Sequence, residues 1–396
     1  MKHWQTKPLG HVLEVSRERI QPLEYPTSSF NYVGLESVEG HTGKLLPYQP
    51  TAGAEIKSTK NVFHPGQILF GKLRPYLNKI YLAREKGICS TDIYVLNPRQ
   101  HQMDAAFAAY FLRSPVVLGA VSNAMAGANL PRINEESLLA IPAPIPPLAE
   151  QERIVRLLDE ADELRKLRAQ ADRRTADLIP SLFHEMFGDP DDNQRGWACC
   201  QVSSFVEELH GGRSVNPAGA DEAAGRFRVL KISAVTWGEF NPEESKPVPA
   251  MYEPPESHFV RAGDLLFSRA NTTELVAATS YVFDTPPNLL LPDKLWRFVW
   301  KQPQAVEPLF VWWLFQAPSV RRELGQRATG TGGSMKNISK PKVMSVEVPL
   351  PPLPLQKKFA ARVSEIRAMQ AEQAASRRRL EHLFQSLLHR AFQGEL

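Results

Sequence analysis

The chain has 396 residues, 43% of them hydrophobic and 23% charged, and a formal net charge of +4 at pH 7. That is enough chain for about two to three cored domains, and the charge is too mild to demand a nucleic-acid partner. No run approaches ~18 consecutive apolar residues, no signal-like segment follows Met1, and three cysteines build neither a disulfide framework nor a four-ligand zinc site; we expect a cytoplasmic protein with no membrane span.

The first 146 residues read as a globular domain. His64-Pro65-Gly66-Gln67 is a turn leading into the apolar strand Ile68-Leu69-Phe70. A short apolar helix carries Phe107, Tyr110 and Phe111, and a glycine-containing loop follows at Ala126–Asn129. Residues 147–190 then form a long helix behind the pair Pro146-Pro147, ending at Gly188 with Pro190 beyond. Its apolar residues Ile154, Leu157, Ala161, Leu164, Ala171, Leu178 and Leu182 recur at heptad spacing, which keeps one seam toward a partner helix. Pro180 is expected to kink that helix or end it early. Residues 191–350 form a second globular domain and 351–396 a second long helix, with the stripe Phe359, Ile366, Met369, Leu380, Leu383 and Leu387.

These parts are a repeat. At an offset of 205 residues, positions 146–187 match 351–392 without a gap at thirteen positions, where unrelated sequences of this composition would give roughly three. Pro146-Pro147-Leu148-Ala149-Glu150-Gln151 returns as Pro351-Pro352-Leu353-Pro354-Leu355-Gln356, and Ser181-Leu182-Phe183-His184 as Ser386-Leu387-Leu388-His389. Upstream the repeat is weaker. Arg261-Ala262-Gly263-Asp264 echoes the first turn, Phe310, Trp313 and Leu314 echo the short helix, and Thr329–Gly333 echoes the glycine loop. Two dissimilar domains on repeated helices imply one scaffold presenting two different surfaces.

The order of parts resembles the specificity (S) subunit of type I restriction–modification systems. The residues that carry the resemblance are the stretch Ile141–Val155, the lead-in Leu350–Gln356, and the domain segments Gly66–Lys79 and Val229–Thr236. Two departures stand out: Leu355 replaces the acidic Glu150 before the second glutamine, and the loop at Gly330–Gly333 is richer in glycine than its counterpart. The resemblance implies an α+β chain with two target-recognition domains alternating with two long helices that pair as an antiparallel coiled coil, a pseudo-twofold repeat. It implies that each domain reads half of a split double-stranded DNA target. Methyltransferase (M) subunits would supply S-adenosylmethionine-dependent methylation, and restriction (R) subunits would supply ATP- and magnesium-dependent translocation and cleavage. A helix of this length spans ~57 Å at ~1.5 Å per residue, of the order of one and a half duplex turns. The competing reading is a coiled-coil scaffold joining two ligand-binding domains without DNA.

Catalytic motifs do not surface. Gly43-Lys44-Leu45 and Gly71-Lys72-Leu73 lack the hydroxyl residue of a phosphate-cradling loop. Thr285-Pro286-Pro287-Asn288 lacks the residues of an adenine methyltransferase motif. Glu244-Ser245-Lys246, with Asp191 or Asp264 elsewhere, only superficially offers a magnesium nuclease site and reads better as an exposed loop. We therefore expect no catalytic residues, no metal ligands and no cofactor in this chain.

If the domains read DNA, base-edge chemistry points to particular side chains. Lys72, Arg74, Tyr76, Asn78 and Lys79 follow the strand Ile68–Phe70, and Arg269, Asn271 and Thr272 stand at the corresponding place in the second half. Arginine and lysine can read guanine, asparagine can read adenine, and tyrosine can pack on sugar. A second group flanks the glycine loops: Arg132 in the first half, and Ser334, Lys336 and Asn337 in the second. Trp237, Trp296, Trp312 and Trp313 read as core residues from their apolar neighbours.

Overall fold

The computed structural model describes residues 4–99, 101–125, 130–215, 224–303, 305–330 and 335–396. The chain divides into two units, Met1–Ala171 with Gln373–Leu396, and Asp172–Glu372. Each unit therefore holds one globular domain, the head of the long helix that follows it and the tail of the other long helix.

Within the first unit an antiparallel sheet runs in the order Leu13–Val15, Ile93–Pro98, Ile68–Gly71, Ile80–Leu82. The second unit repeats it as Val206–Gly211, Leu295–Trp300, Leu265–Ser268, Thr279–Tyr281. The turn before the third strand has the same geometry in both. Gly66 and Gly263 take φ of +84° and +94°, values open to glycine at no steric cost. His64 N–H donates to Gln67 Oε1 (2.7 Å) where Arg261 N–H donates to Asp264 Oδ2 (2.8 Å). A second large sheet in each unit diverges. One is the four-stranded Arg19–Ile20, Lys60–Phe63, Gly87–Cys89, Tyr32–Val33, and the other the three-stranded Ser245–Pro249, Ala224–Leu230, Leu289–Leu290.

The repeated glutamine explains why the lead-in repeats. Gln151 and Gln356 are both fully buried. Gln151 Oε1 accepts from Asp104 N–H (2.8 Å), just ahead of the short helix Ala105–Arg113, while its Nε2 donates to Pro146 O and Gln102 O (both 2.8 Å). Gln356 Oε1 accepts from Glu307 N–H (2.9 Å) ahead of the helix Pro308–Gln316, and its Nε2 donates to Pro351 O (2.7 Å). One side chain thus closes the start of the short helix and fixes the proline-rich lead-in of the long one. The neighbouring position faces solvent in part, so Glu150 and Leu355 are both tolerated there.

The helix tails complete the cores. In the first unit Phe392 packs edge-on to Phe107 and Phe111 (centroids 5.2 Å each), in a cluster with Ile154, Leu158, Ala161, Phe384 and Leu388. In the second, Phe187 packs edge-on to Phe310 (4.8 Å) and Phe359 (5.4 Å), with Ile179, Phe183 and Val363 around them. In the second unit Thr175 O accepts from Gln370 Nε2 (2.9 Å) and Phe183 meets Phe359, so the helices run antiparallel. Pro180 does interrupt the first helix: it ends at Ala176, and Leu178–Phe187 begins a new one after Asp177. Proline in that first turn forfeits a hydrogen bond the helix would not have made. Gln385 stands at the matching position, and the last helix runs Leu353–Ala391 unbroken.

The expected seam needs correction. Ile154 and Phe359 are fully buried, and Leu157, Leu182, Ile366, Leu380 and Leu387 partly so. Leu164, Leu178, Met369 and Leu383, expected to pair, are exposed. Steps of three and four from Gln151 lead through Ile154, Leu158 and Ala161 to Arg165. Arg165 stays in line because its guanidinium meets Glu381 (2.7 Å) and the Phe384 ring (4.2 Å). Following leucines alone drifts onto the adjoining face.

Gln151→Ala strands a buried N–H and two carbonyls. We expect it to lower the unfolding free energy by roughly 1–3 kcal/mol, whereas the exposed Glu152→Ala stays within about 0.5 kcal/mol. Urea unfolding of the two variants beside the parent chain checks this.

Candidate nucleic-acid interface

The two candidate groups in each half come together as one patch. In the first unit the chain leaves the strand Ile68–Gly71 and runs beside residues 131–133. Lys72 N–H donates to Asp92 O (2.9 Å), Ile133 N–H to Lys72 O (3.1 Å) and Arg74 N–H to Pro131 O (2.8 Å), with Leu73 bridged to Arg132. In the second unit Arg269 N–H donates to Lys294 O (3.1 Å) and Ile338 N–H to Arg269 O (2.9 Å), and Ala270-Asn271 pairs with Lys336-Asn337. The backbone frame is the same and the side chains differ.

A cation lies on an aromatic plate at the same place in each frame. Lys72 Nζ sits over the Tyr94 ring (5.1 Å), and the Arg269 guanidinium over Trp296 (6.0 Å), which Lys340 also approaches (5.9 Å). Burial, then Glu135, pushes the Tyr94 phenol above its ordinary range, so the plate stays neutral. Arg269 also donates from Nε to Asp293 O (2.9 Å) and pairs with the Asp293 carboxylate (3.4 Å). Its fork is partly used at home, which suits holding a phosphate better than bidentate reading of a base. Arg132 pairs with Asp92 (3.4 Å) and remains exposed.

The freest groups are few. Arg74 is exposed, in left-handed backbone (φ +47°), and among the described residues its guanidinium has no partner. Tyr76 is 42% exposed on the single 3-10 turn Pro75–Leu77 that Arg74 opens. In the second unit Thr272 is exposed, Asn271 is half-buried with Nδ2 donating to Thr236 Oγ1 (3.4 Å), and Lys336 Nζ donates to Gly330 O (3.2 Å). Asn337 holds Thr329 through both backbone bonds (2.8 Å each). Ser334 and the first-half glycine loop lie outside the described residues.

Two expected contacts turn inward. Asn78 is 4% exposed, with φ +50°, and its Nδ2 donates to Arg113 O (2.9 Å). It closes the 3-10 turn and cannot reach a base edge. Lys79 Nζ donates to Leu35 O (2.6 Å), tying the strand exit to the neighbouring segment. Sequence order placed both on a basic turn, but the left-handed residue at 78 reverses the chain into the core. Among the tryptophans, Trp296 and Trp312 are buried and Trp313 partly so, while Trp237 is 80% exposed, contrary to its reading as core. The superficial nuclease carboxylates have separate partners: Asp264 with Arg297 (3.0 Å), Asp191 with Arg322 (3.5 Å), and Glu244 with Ser233 Oγ (2.6 Å) and Lys231 (3.5 Å). Burial raises the Asp264 carboxyl, with Arg297 opposing.

Residues 1–172, which include the whole first patch, match the type I restriction modification DNA specificity domain. The chain is similar to type I specificity subunits. It is 32% identical over 189 residues to the EcoDI specificity subunit of Escherichia coli, an alignment covering 47% of this chain and 41% of that protein. With the EcoKI specificity subunit of Escherichia coli K12 it shares 28% over 316 residues, 74% of this chain and 66% of that one. The chain thus spans less than two thirds of these relatives. In fold it is similar to a chain from a study of complex assembly and conformational transition of the type I R-M system (TM-score 0.66, 21% identity, 99% and 98% covered). It is likewise similar to the type I S subunit of M. genitalium (TM-score 0.56, 13% identity, 98% and 96% covered).

The inward and outward residues of the patch separate by experiment. Asn78→Ala removes a buried bond and is expected to cost roughly 1–3 kcal/mol of stability, while Arg74→Ala leaves stability within about 0.5 kcal/mol. Thermal unfolding of both variants gives the comparison.

Proposed function

We propose that this chain is the DNA sequence-specificity subunit of a type I restriction–modification complex, with no catalytic site of its own. The observation that carries the reading is the twin patch. One backbone frame, closed in each unit by the bond from Ile133 to Lys72 or from Ile338 to Arg269, presents two different sets of polar side chains. Lys72, Arg74, Tyr76 and Arg132 read one half of a bipartite, gapped target; Arg269, Asn271, Thr272, Lys336 and Asn337 read the other. Cations such as Lys72 and Arg269 give affinity through phosphates, and Arg74 and Asn271 contribute sequence through base edges.

The long helices dock the partners in this reading. Leu164 (49% exposed), Leu167 and Leu383 offer apolar surface, all in the first unit, that suits methyltransferase subunits. S-adenosylmethionine, ATP and magnesium act on those methyltransferase and motor–nuclease subunits. The chain works in the cytoplasm, where its DNA is. Among the described residues no single helix is long and apolar enough to cross a membrane.

Arg74→Ala in the assembled complex is expected to cost about 1–3 kcal/mol of binding on duplexes with the correct first half-site, and to leave discrimination at the second half-site unchanged. Competition binding with half-site-scrambled duplexes at fixed salt measures this. Equal loss at both half-sites contradicts independent reading.

A further inference from the structure

In the second unit, the turn after the 3-10 segment Ile232–Ala234 puts an indole into solvent. Its backbone is held on several sides. Asn241 N–H donates to Ala234 O (2.9 Å), Gln316 Nε2 donates to Gly238 O (3.3 Å), and Glu239 pairs with Arg367 (3.6 Å), which itself lies over Phe283 (3.8 Å). Gly238 takes φ +84°. Thr236, the residue before Trp237, donates to Ile232 O (3.0 Å) and accepts from Asn271 Nδ2 (3.4 Å). Trp237 is thus presented 80% exposed from a braced turn, one residue from a side chain of the candidate reading patch. A large apolar group held out rigidly loses little freedom on meeting a partner.

The first unit handles the same place differently. Its matching turn runs from buried Val38 to His41 (φ +65°), with Gly40 where the second unit has Trp237. A Cβ on Gly40 would lie 2.5 Å from Leu77 O, so that turn is closed onto the segment Pro75–Leu77 and has no room for a side chain. The exposed aromatic there comes from that neighbouring segment, as Tyr76, beside Arg74. Among the described residues the second unit has no 3-10 segment after Asn271. Among the described residues, Tyr76 and Trp237 are thus the exposed aromatics beside the two patches, supplied from different loops.

We propose that Trp237 is a DNA-contacting residue of the second domain, packing its indole on the sugar–base surface of the duplex beside the bases that Asn271 faces. This deepens the DNA-reading assignment and rests on it. The chemistry is that of an aromatic face against deoxyribose or a partly unstacked base, which is tolerant of sequence and strengthens binding at one half-site.

The test uses the complete chain with its methyltransferase partner and a duplex carrying the methylated target. Iodide quenching of indole fluorescence, wild type minus Trp237→Phe, isolates the Trp237 signal. We expect it to be iodide-accessible in the DNA-free complex and shielded when duplex is added. Trp237→Ala should weaken specific binding by about tenfold, Trp237→Phe should restore most of it, and Arg74-dependent discrimination at the first half-site should be unaffected. Continued accessibility in the DNA-bound complex, with unchanged affinity in Trp237→Ala, overturns the inference. Shielding by the partner subunit before DNA is present overturns it too, in favour of a protein contact. A wild-type complex that binds no duplex overturns the DNA-reading assignment itself, which separates that failure from the failure of Trp237 alone.

Discussion

A buried glutamine at the head of each long helix is the joint on which both units depend. Gln151 and Gln356 each satisfy an N–H at the start of a short helix and a carbonyl of their own proline-rich lead-in. A buried polar group is expensive unless paired, so each joint tolerates one geometry between domain and helix. The prolines help by removing donors that would otherwise need partners there. With head and domain locked, the tail of the other helix fills the remaining apolar cleft: Phe392 against Phe107 and Phe111 in one unit, Phe187 against Phe310 in the other.

That arrangement accounts for where the repeat is strong and where it fades. Identity is retained at the lead-ins and the helix tails because those residues meet the same neighbours in both units. The sheet carrying each patch keeps its strand order, and its turn glycines keep their positive φ. The second sheet of each domain, away from the joint, is free to differ. A shared frame with altered side chains is what the proposed reading of two different sequences requires, and the twin patch has that character.

Much of this was legible from the residues. The 205-residue offset is a property of the sequence, and it marks both joints and both tails before any coordinate is known. Pro180 announced the break after Ala176. The phase of the helix seam did not show, because the buried line passes through Arg165, a residue that hydrophobic counting skips and that an ion pair and a ring contact keep in place. The candidate patch was half legible. Strand-exit position picked out Lys72, Arg74 and Arg269, but the two candidate segments of each half looked separate until Ile133 and Ile338 joined them. Asn78 was misread since a left-handed residue folds back into the core, and Trp237 since its apolar neighbour Val235 is buried while the turn itself points out. Extending the repeat to the strands Ile93–Pro98 and Leu295–Trp300 would have paired Tyr94 with Trp296 and exposed the shared cation–aromatic plates.

On the proposed reading, this chain alone decides which DNA its methyltransferase partner modifies. The direct measurement is the genome-wide adenine methylation pattern in cells carrying the methyltransferase partner, with and without this chain. A gapped, two-part motif that appears only when the chain is present is the expected result. An unchanged pattern, with the two proteins shown to associate, would contradict it.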